Sequence, residues 1–173
     1  MRFILVDSIL ELVPGQHAVA TRFIAPDCDF FADHFPGFPV VPGVLLTEMM
    51  AQTAGKCLDS EPLARGKAML TQIQSARFTD WVRPGQTVLL HARIKSSRPQ
   101  FATASCHAEV EGRNVCSAEL LFAFLAPGQL AAGYRDEVLD TFLARTSRSN
   151  ADIATPPVTD FPDTPSPQPP KTV

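Results

Sequence analysis

The segment Asp33–Gly55, DHFPGFPVVPGVLLTEMMAQTAG, constrains the fold of this chain more than any other part of the sequence. Its prolines fix φ and remove backbone donors, so a helix cannot begin before Pro42, which is expected in the first turn. Val44–Ala54 then consists mostly of apolar helix formers, and Gly55 is predicted to end the helix. A helix without a polar face is buried, and this one is shorter than the roughly 20 residues that span a bilayer. We therefore expect a central core helix wrapped by the rest of the chain.

A few polar side chains in this helix and in the loop before it indicate a catalytic site. Glu48 is the only ionisable residue between His34 and Lys56, and an apolar environment keeps a carboxylic acid protonated. Gln52 lies one helical turn further on, so its amide is expected to hydrogen-bond Glu48. His34 lies in the rigid loop before the helix, where a histidine and a carboxylic acid make a base and acid pair. Each residue also has a purely structural interpretation. Glu48 then points to solvent or caps a backbone amide at a helix end, and His34 is a hydrogen-bonded histidine of the core.

The composition is that of a single globular domain. The chain has 173 residues, 45% of them hydrophobic, and a formal net charge of -3, which does not indicate nucleic-acid binding. Its first residues include charged side chains and no small-residue cleavage site, so they are expected to belong to the fold, and the expected location is the cytoplasm. No cysteine pattern indicates a metal site. We expect four reduced, buried thiols at Cys28, Cys57, Cys106 and Cys116.

Extended segments make up most of the remaining chain. They are predicted at residues 3–12, 18–24, 68–78, 87–96, 101–110 and 115–125, and the last two are joined by a turn at residues 111–114. Such strands form an antiparallel sheet that curls round one apolar helix, which is an α+β arrangement. His91 and His107 lie within strands and are expected to face solvent or a subunit contact.

The run HFPGFPVVPGVLLTEMMAQTAG closely resembles the active-site stretch of the FabZ-type 3-hydroxyacyl-[acyl-carrier-protein] dehydratases, and the resemblance continues in RFILVDSILELVPGQ and SARFTDWVRPGQ. It implies the hot-dog fold, an antiparallel sheet wrapped around a long central helix. It also implies that His34 takes the α-proton of a 3-hydroxyacyl thioester while Glu48 assists departure of the β-hydroxyl. Gly43 matches the backbone position that polarises the thioester carbonyl, and the reaction requires no metal or organic cofactor.

The resemblance further implies an acyl carrier protein as partner and a homodimer or trimer of dimers, in which His34 faces Glu48 of the partner subunit. Carrier proteins are acidic, so docking requires a basic patch. The basic candidates are Arg77, Arg83, Arg93, Lys95 and Arg98. The candidates for lining an acyl pocket are Phe30, Phe31, Phe38 and Met69, although core anchors have the same pattern.

Two other functions compete with dehydration. One is a hot-dog thioesterase in which Glu48 activates water, and the HFPG loop with His34 argues against it. The other is a non-catalytic subunit that binds acyl carrier protein, which the intact His34 and Glu48 pair disfavours.

The catalytic domain is predicted at residues 1–127, a C-terminal amphipathic helix at 128–146, and a proline-rich, disordered tail at 147–173.

Overall fold

The computed structural model describes residues 3–60 and 66–132, together with 134, 136, 137, 140 and 141. The predicted tail at 147–173 lies outside these residues, as do nine of the nineteen residues of the predicted C-terminal helix at 128–146. The main elements in chain order are strands β1 (Ser8–Val13) and β2 (His17–Phe23), helix α1 (Gly43–Asp59), and strands β3 (Lys67–Phe78), β4 (Thr87–Ser97), β5 (Phe101–Val110) and β6 (Arg113–Leu125). Among the described residues, short 3-10 helices lie at Asp29–Phe31, between β2 and α1, and at Pro127–Gln129, after β6.

The six strands form one antiparallel sheet with the order β1-β2-β4-β5-β6-β3. The predicted run of three consecutive antiparallel strands is therefore confirmed as β4, β5 and β6. The turn between β5 and β6 is tighter than the four-residue turn expected. Glu111 and Gly112 have φ values of 53° and 73°, and Val110 pairs directly with Arg113. Two successive positive φ values are the signature of a two-residue hairpin that matches the strand twist.

The core lies between α1 and one face of the sheet. Met50 and Ala54 on the helix and Leu90 and Ala92 on β4 are all 0% exposed. Burial of a side chain the size of Met50 contributes about 1.5–3 kcal/mol, which is why the apolar pattern of this helix decides the architecture. The sheet wrapped around one apolar helix is the predicted arrangement. No helix among the described residues is long and apolar enough to cross a membrane.

Helix α1 is longer than predicted. It continues through Gly55 and ends at Asp59, so the prediction that Gly55 stops the helix is wrong. Cys57 and Leu58 are 0% and 3% exposed, and packing of this last turn on the sheet outweighs the roughly 1 kcal/mol that a helical glycine costs. Pro42 is the N-cap and not a first-turn residue, because its ψ of 129° is not helical.

Strand β3 forms one edge of the sheet. Among the described residues it pairs with β6 alone, and residues 71–78 are exposed. Its apolar side chains Met69, Ile73 and Phe78 are 46%, 49% and 49% exposed. An exposed edge of this length is a template for pairing with a further strand.

All four cysteines are thiols outside any disulfide, as predicted. Cys57, Cys106 and Cys116 are buried, but Cys28 is only half-buried, so the prediction of four buried thiols is wrong for this residue. Cys28 precedes the short 3-10 helix in the loop between β2 and α1, whereas the three buried cysteines lie on α1, β5 and β6.

Candidate active site

Two hydrogen bonds fix His34 in the loop between β2 and α1. Its backbone N–H donates to Phe30 O at 2.9 Å, and its Nδ1 lies 3.0 Å from Val40 O. A carbonyl oxygen only accepts hydrogen bonds, so the hydrogen of the neutral imidazole is on Nδ1. Nε2 then carries the lone pair, and the loop presents this nitrogen as a base.

The backbone beside His34 is strained. Phe35 has a φ of 57°, a left-handed conformation that costs a non-glycine residue roughly 1–2 kcal/mol. Its ring centroid lies 4.2 Å from that of His34. Gly37 follows with a φ of 85°, which glycine adopts without a steric penalty. Strain of this kind persists only where the surroundings enforce it, and it is common at functional sites.

Gln52 holds the carboxyl group of Glu48. The Gln52 Nε2 donates to Glu48 Oε1 at 3.1 Å and to Phe3 O at 3.1 Å, while its Oε1 accepts from Leu5 N–H at 2.9 Å. The Leu5 N–H is a donor and the Phe3 carbonyl an acceptor, so only one orientation of the Gln52 amide satisfies both. The predicted hydrogen bond between Gln52 and Glu48 is confirmed.

The N-terminus of α1 is closely packed at Gly43. A Cβ at this position would lie 2.8–3.0 Å from three atoms of the Phe78 ring, so only glycine fits without displacing that ring. No side chain caps this end of the helix at Pro42. Leu45 N–H already donates to Pro42 O at 2.9 Å, so the N–H groups that precede it, at Gly43 and Val44, and the positive end of the helix dipole are what this end offers to negative charge on an oxygen.

Within one chain, His34 and Glu48 are held by different elements. His34 is bonded to its own loop at Phe30 and Val40, whereas Glu48 is bonded through Gln52 to the N-terminal segment. Among the residues described, no hydrogen bond or ion pair joins the two side chains. The His34 and Glu48 side chains are thus each held in place, but not by contact with each other.

The four acyl-pocket candidates occupy three different environments. Phe30 and Phe31 pack together with ring centroids 4.5 Å apart and contact the hydrophobic core. Phe38 is 42% exposed in the loop after His34. Met69 lies on the edge strand next to the core residue Ala68, and adjacent strand residues point to opposite faces. A pocket role for these four residues stays a prediction.

Trp81 and Arg83 pack against the exposed ring of Phe38. The Trp81 ring meets Phe38 edge-on at 5.8 Å, and the Arg83 guanidinium lies 4.9 Å above the centre of the Phe38 ring. Val82 lies between Trp81 and Arg83, and its backbone O accepts a 2.8 Å hydrogen bond from Val41 N–H in the loop before α1. Arg83 is one of the basic candidates predicted from the sequence, whereas Trp81 is not among the predicted site residues, although it is the single tryptophan and lies in the stretch SARFTDWVRPGQ.

The five basic docking candidates do not form one patch. Arg83 precedes β4 and stacks on Phe38, while Arg98 follows β4 at its other end. Ten residue steps of strand separate the ends of β4 by about 33 Å. Arg77 pairs with Ser117, which the register through His107 places level with His91, near the middle of β4. The remaining candidates, Arg93 and Lys95, lie in the second half of β4.

His91 and His107 were expected to face solvent or a subunit contact; they are largely buried, so solvent exposure is not observed, and the subunit contact stays a prediction. They pair directly across β4 and β5, and their rings stack at 4.3 Å with an angle of 6° between the planes. The side chains are only 12% and 10% exposed. They occupy the face of the sheet opposite α1, because the neighbouring Ala92 and Cys106 point into the core. They therefore take no part in the candidate active site.

Comparisons with known proteins agree on one enzyme class. A family model described as ApeI-like, ApeI dehydratase, matches residues 11–118. The 3-hydroxyacyl-[acyl-carrier-protein] dehydratase FabZ of Roseiflexus castenholzii is 42% identical over 122 residues, which cover 70% of this chain and 85% of the relative. FabZ of Ligilactobacillus salivarius is 41% identical over 120 residues, which cover 69% of this chain and 86% of that protein.

Solved structures with the same fold include several enzymes. The dehydratase heterocomplex ApeI:P from Xenorhabdus doucetiae matches with a TM-score of 0.60 at 14% identity, covering 73% of this chain and 86% of that chain. A hypothetical thioesterase with coenzyme A from Streptococcus pneumoniae matches with a TM-score of 0.57 at 15% identity, covering 69% and 85%. At such low identities the likeness concerns the fold alone, and the predicted hot-dog fold is confirmed.

Proposed function

This chain belongs to the FabZ family of 3-hydroxyacyl-[acyl-carrier-protein] dehydratases, and we propose that His34 and Glu48 perform its reaction. The reaction removes water from a 3-hydroxyacyl thioester and gives a trans-2-enoyl thioester, a step of fatty acid biosynthesis. One α-proton and one β-hydroxyl leave the substrate, so the step needs a base and an acid and no oxidant. The hydrogen bond from His34 Nδ1 to Val40 O carries the assignment of roles, because it leaves Nε2 as the base.

His34 Nε2 takes the α-proton of the substrate. The electron pair of the broken C–H bond passes into the thioester carbonyl and then forms the new carbon–carbon double bond as the β-hydroxyl leaves. Negative charge develops on the carbonyl oxygen during this step. The first-turn N–H groups of α1 at Gly43 supply donors for that charge, assisted by the helix dipole.

Glu48 gives a proton to the departing hydroxyl, which leaves as water. Its Oε1 accepts the hydrogen bond from Gln52 Nε2, so the acidic proton belongs on Oε2. Gln52 is a positioning residue: it fixes which carboxyl oxygen faces the leaving group. Return of one proton from His34 to Glu48, directly or through water, resets the pair.

The enzyme works as a homodimer, or as a trimer of such dimers, in which each site takes His34 from one subunit and Glu48 from the other. The exposed edge of β3 supports this arrangement, because pairing two such edges continues the sheet across a two-fold axis. The separate anchoring of His34 and Glu48 within one chain also supports it. The four reduced cysteines support a reducing compartment, which is the cytoplasm.

Acyl carrier protein docks at the end of the sheet that carries Arg83, and Arg77 lies level with His91, nearer the middle of the sheet. Arg83 supports this placement because it stacks on Phe38, four residues after His34 in the same loop. We expect Arg83→Glu to raise KM for a carrier-protein substrate and weaken its salt dependence, with kcat little changed. Arg98→Glu is the matched control at the other end of β4 and is expected to leave KM unchanged. Equal effects of the two reversals would contradict this docking site.

The decisive experiment assays the purified chain on a 3-hydroxyacyl carrier-protein thioester. The enoyl product and free thiol are followed separately by mass spectrometry of the carrier protein. A dehydratase forms the enoyl thioester without releasing thiol. Release of thiol without enoyl product would instead indicate a thioesterase, and neither product would indicate a non-catalytic carrier-binding subunit.

A further inference from the structure

Three chemically active side chains gather on the face of the sheet that is turned away from α1. His91 on β4 and His107 on β5 are direct partners in the strand register. Glu109 lies two residues after His107, so its side chain points to the same face. All three side chains are largely buried, with exposures of 12%, 10% and 21%. The proposed dehydration reaction uses none of them.

The carboxylate of Glu109 lies between the edges of the two imidazole rings. His107 Nε2 is 3.1 Å from Glu109 Oε1, and His91 Nε2 is 3.9 Å from Glu109 Oε2. Both histidines thus turn the same nitrogen toward one carboxylate. The three potential ligand atoms lie within 4.8 Å of one another.

These distances are close to those of a metal site. A zinc ion with ligand bonds of about 2.0–2.2 Å in tetrahedral geometry places its ligand atoms roughly 3.3–3.5 Å apart. The 3.1 Å contact between His107 and Glu109 is close to that spacing. Because the two imidazole planes are stacked with 6° between them, the rings tilt out of their stack to turn both Nε2 lone pairs toward one ion. The proton that lies between His107 Nε2 and Glu109 Oε1 is released or moves to Nδ1 when an ion takes its place.

We propose that His91, His107 and Glu109 bind a divalent transition metal ion of the Zn²⁺ type on the outer face of the sheet. Two imidazoles and one carboxylate are ligands for first-row transition ions, whereas Mg²⁺ and Ca²⁺ favour all-oxygen sites. The partial exposure of all three side chains gives the ion an entry path and leaves a coordination position for water. The bound ion joins β4 to β5 at the centre of the sheet and so stabilises the fold.

The first test is direct binding to the full chain. The protein is stripped with a chelator, desalted and titrated with Zn²⁺ by calorimetry, and Co²⁺ is used separately as a spectroscopic probe. We expect about one Zn²⁺ per chain, visible Co²⁺ absorption bands of low-coordinate geometry, and a rise in Tm on adding Zn²⁺. No saturable Zn²⁺ binding to the stripped wild-type chain would overturn the proposal.

Substitutions then locate the ion. Glu109→Gln keeps the shape of the side chain and is expected to weaken Zn²⁺ binding at least about tenfold, as is His107→Gln. His17→Gln is a matched control, because His17 also pairs with a carboxylate, at 2.8 Å from Glu11, but has no second histidine stacked on it. His34→Ala controls for metal binding at the catalytic histidine. Neither control is expected to change the affinity.

Circular dichroism and the metal-free melting curve establish that each variant is folded, and Glu109→Gln alone decides the matter if His107→Gln does not fold. Zn²⁺ affinity that stays within about twofold of wild type in Glu109→Gln would overturn the proposal, as would loss of binding in His34→Ala. Because binding is measured without substrate, its outcome is independent of whether the chain is a dehydratase.

Discussion

Gln52 donates a 3.1 Å hydrogen bond to Glu48 from one helical turn away, while Phe3 and Leu5 hold the other two polar positions of the same amide. The orientation of the carboxyl group is therefore controlled from the N-terminal segment of the chain. A change at Gln52 disturbs Glu48 without removing either proposed catalytic group.

We predict that Gln52→Ala lowers kcat by roughly ten- to hundredfold and changes KM much less, because a misplaced carboxyl group impairs the chemical step more than binding. Steady-state kinetics on a carrier-protein substrate measure both constants. The same substitution is expected to have no further effect in a Glu48→Gln background. An additive loss in the double variant would mean that Gln52 acts independently of Glu48.

We predict that His34→Ala and Glu48→Gln each lower the dehydration rate by about 10²–10⁴-fold, the usual contribution of general acid–base catalysis. The fold is expected to persist, since neither side chain is part of the buried core. His17→Ala is the matched control, because His17 lies on β2 and pairs with Glu11. Activity of either site variant within a few-fold of wild type would exclude the proposed mechanism.

Two glycine substitutions in α1 are expected to have opposite effects. A Cβ at Gly43 would meet the Phe78 ring at 2.8 Å, so Gly43→Ala is expected to destabilise the protein by about 1–3 kcal/mol. Apart from its chain neighbours and the backbone of its own helix, no atom of the described residues lies within 4 Å of a Cβ at Gly55, so Gly55→Ala is expected to stabilise the protein by about 0.5–1 kcal/mol. Urea unfolding measures both. Phe78→Leu should relieve part of the Gly43→Ala penalty, and additivity of these two changes would contradict the predicted contact.

Mixed oligomers distinguish a shared site from a site within one chain. If His34 and the partner subunit's Glu48 form one site, a dimer of one His34→Ala and one Glu48→Ala chain holds one intact site and one doubly altered site. Random mixing is then expected to restore about a quarter of wild-type activity by symmetry. Differential tags confirm that mixed dimers have formed. No recovery in confirmed mixed dimers would place the pair within one chain.

We predict that only Cys28 reacts rapidly with a thiol reagent in the folded protein. Burial raises the pKa of Cys116 to about 12 and raises the pKa of Cys106 further, so both remain protonated thiols at pH 8. The thiolate is the reactive form, and labelling of these two thiols should stay slow at every pH below this range. Mass spectrometry after brief alkylation is expected to find one label when folded and four in denaturant. Rapid labelling of Cys106 would contradict the packing of β5.

The sequence alone was enough to predict the central helix, the antiparallel strands, and Glu48 and Gln52 as candidate site residues. The helix was predictable because one buried apolar element has few alternatives, and the strands because alternation and turn residues are local signals. Glu48 was recognisable because it is the only charge in an apolar stretch, and Gln52 because helical spacing places it one turn away.

Tertiary structure decided the rest. Gly55 does not end α1, because burial of Cys57 and Leu58 against the sheet outweighs a local helix preference. The stacking of His91 on His107 follows from strand register, which no local pattern reveals, since the two residues are far apart in sequence. The separation of Arg83 from Arg98 likewise follows from the length and direction of β4. Sequence specifies which side chains can act, and the long-range pairing of strands specifies which of them meet.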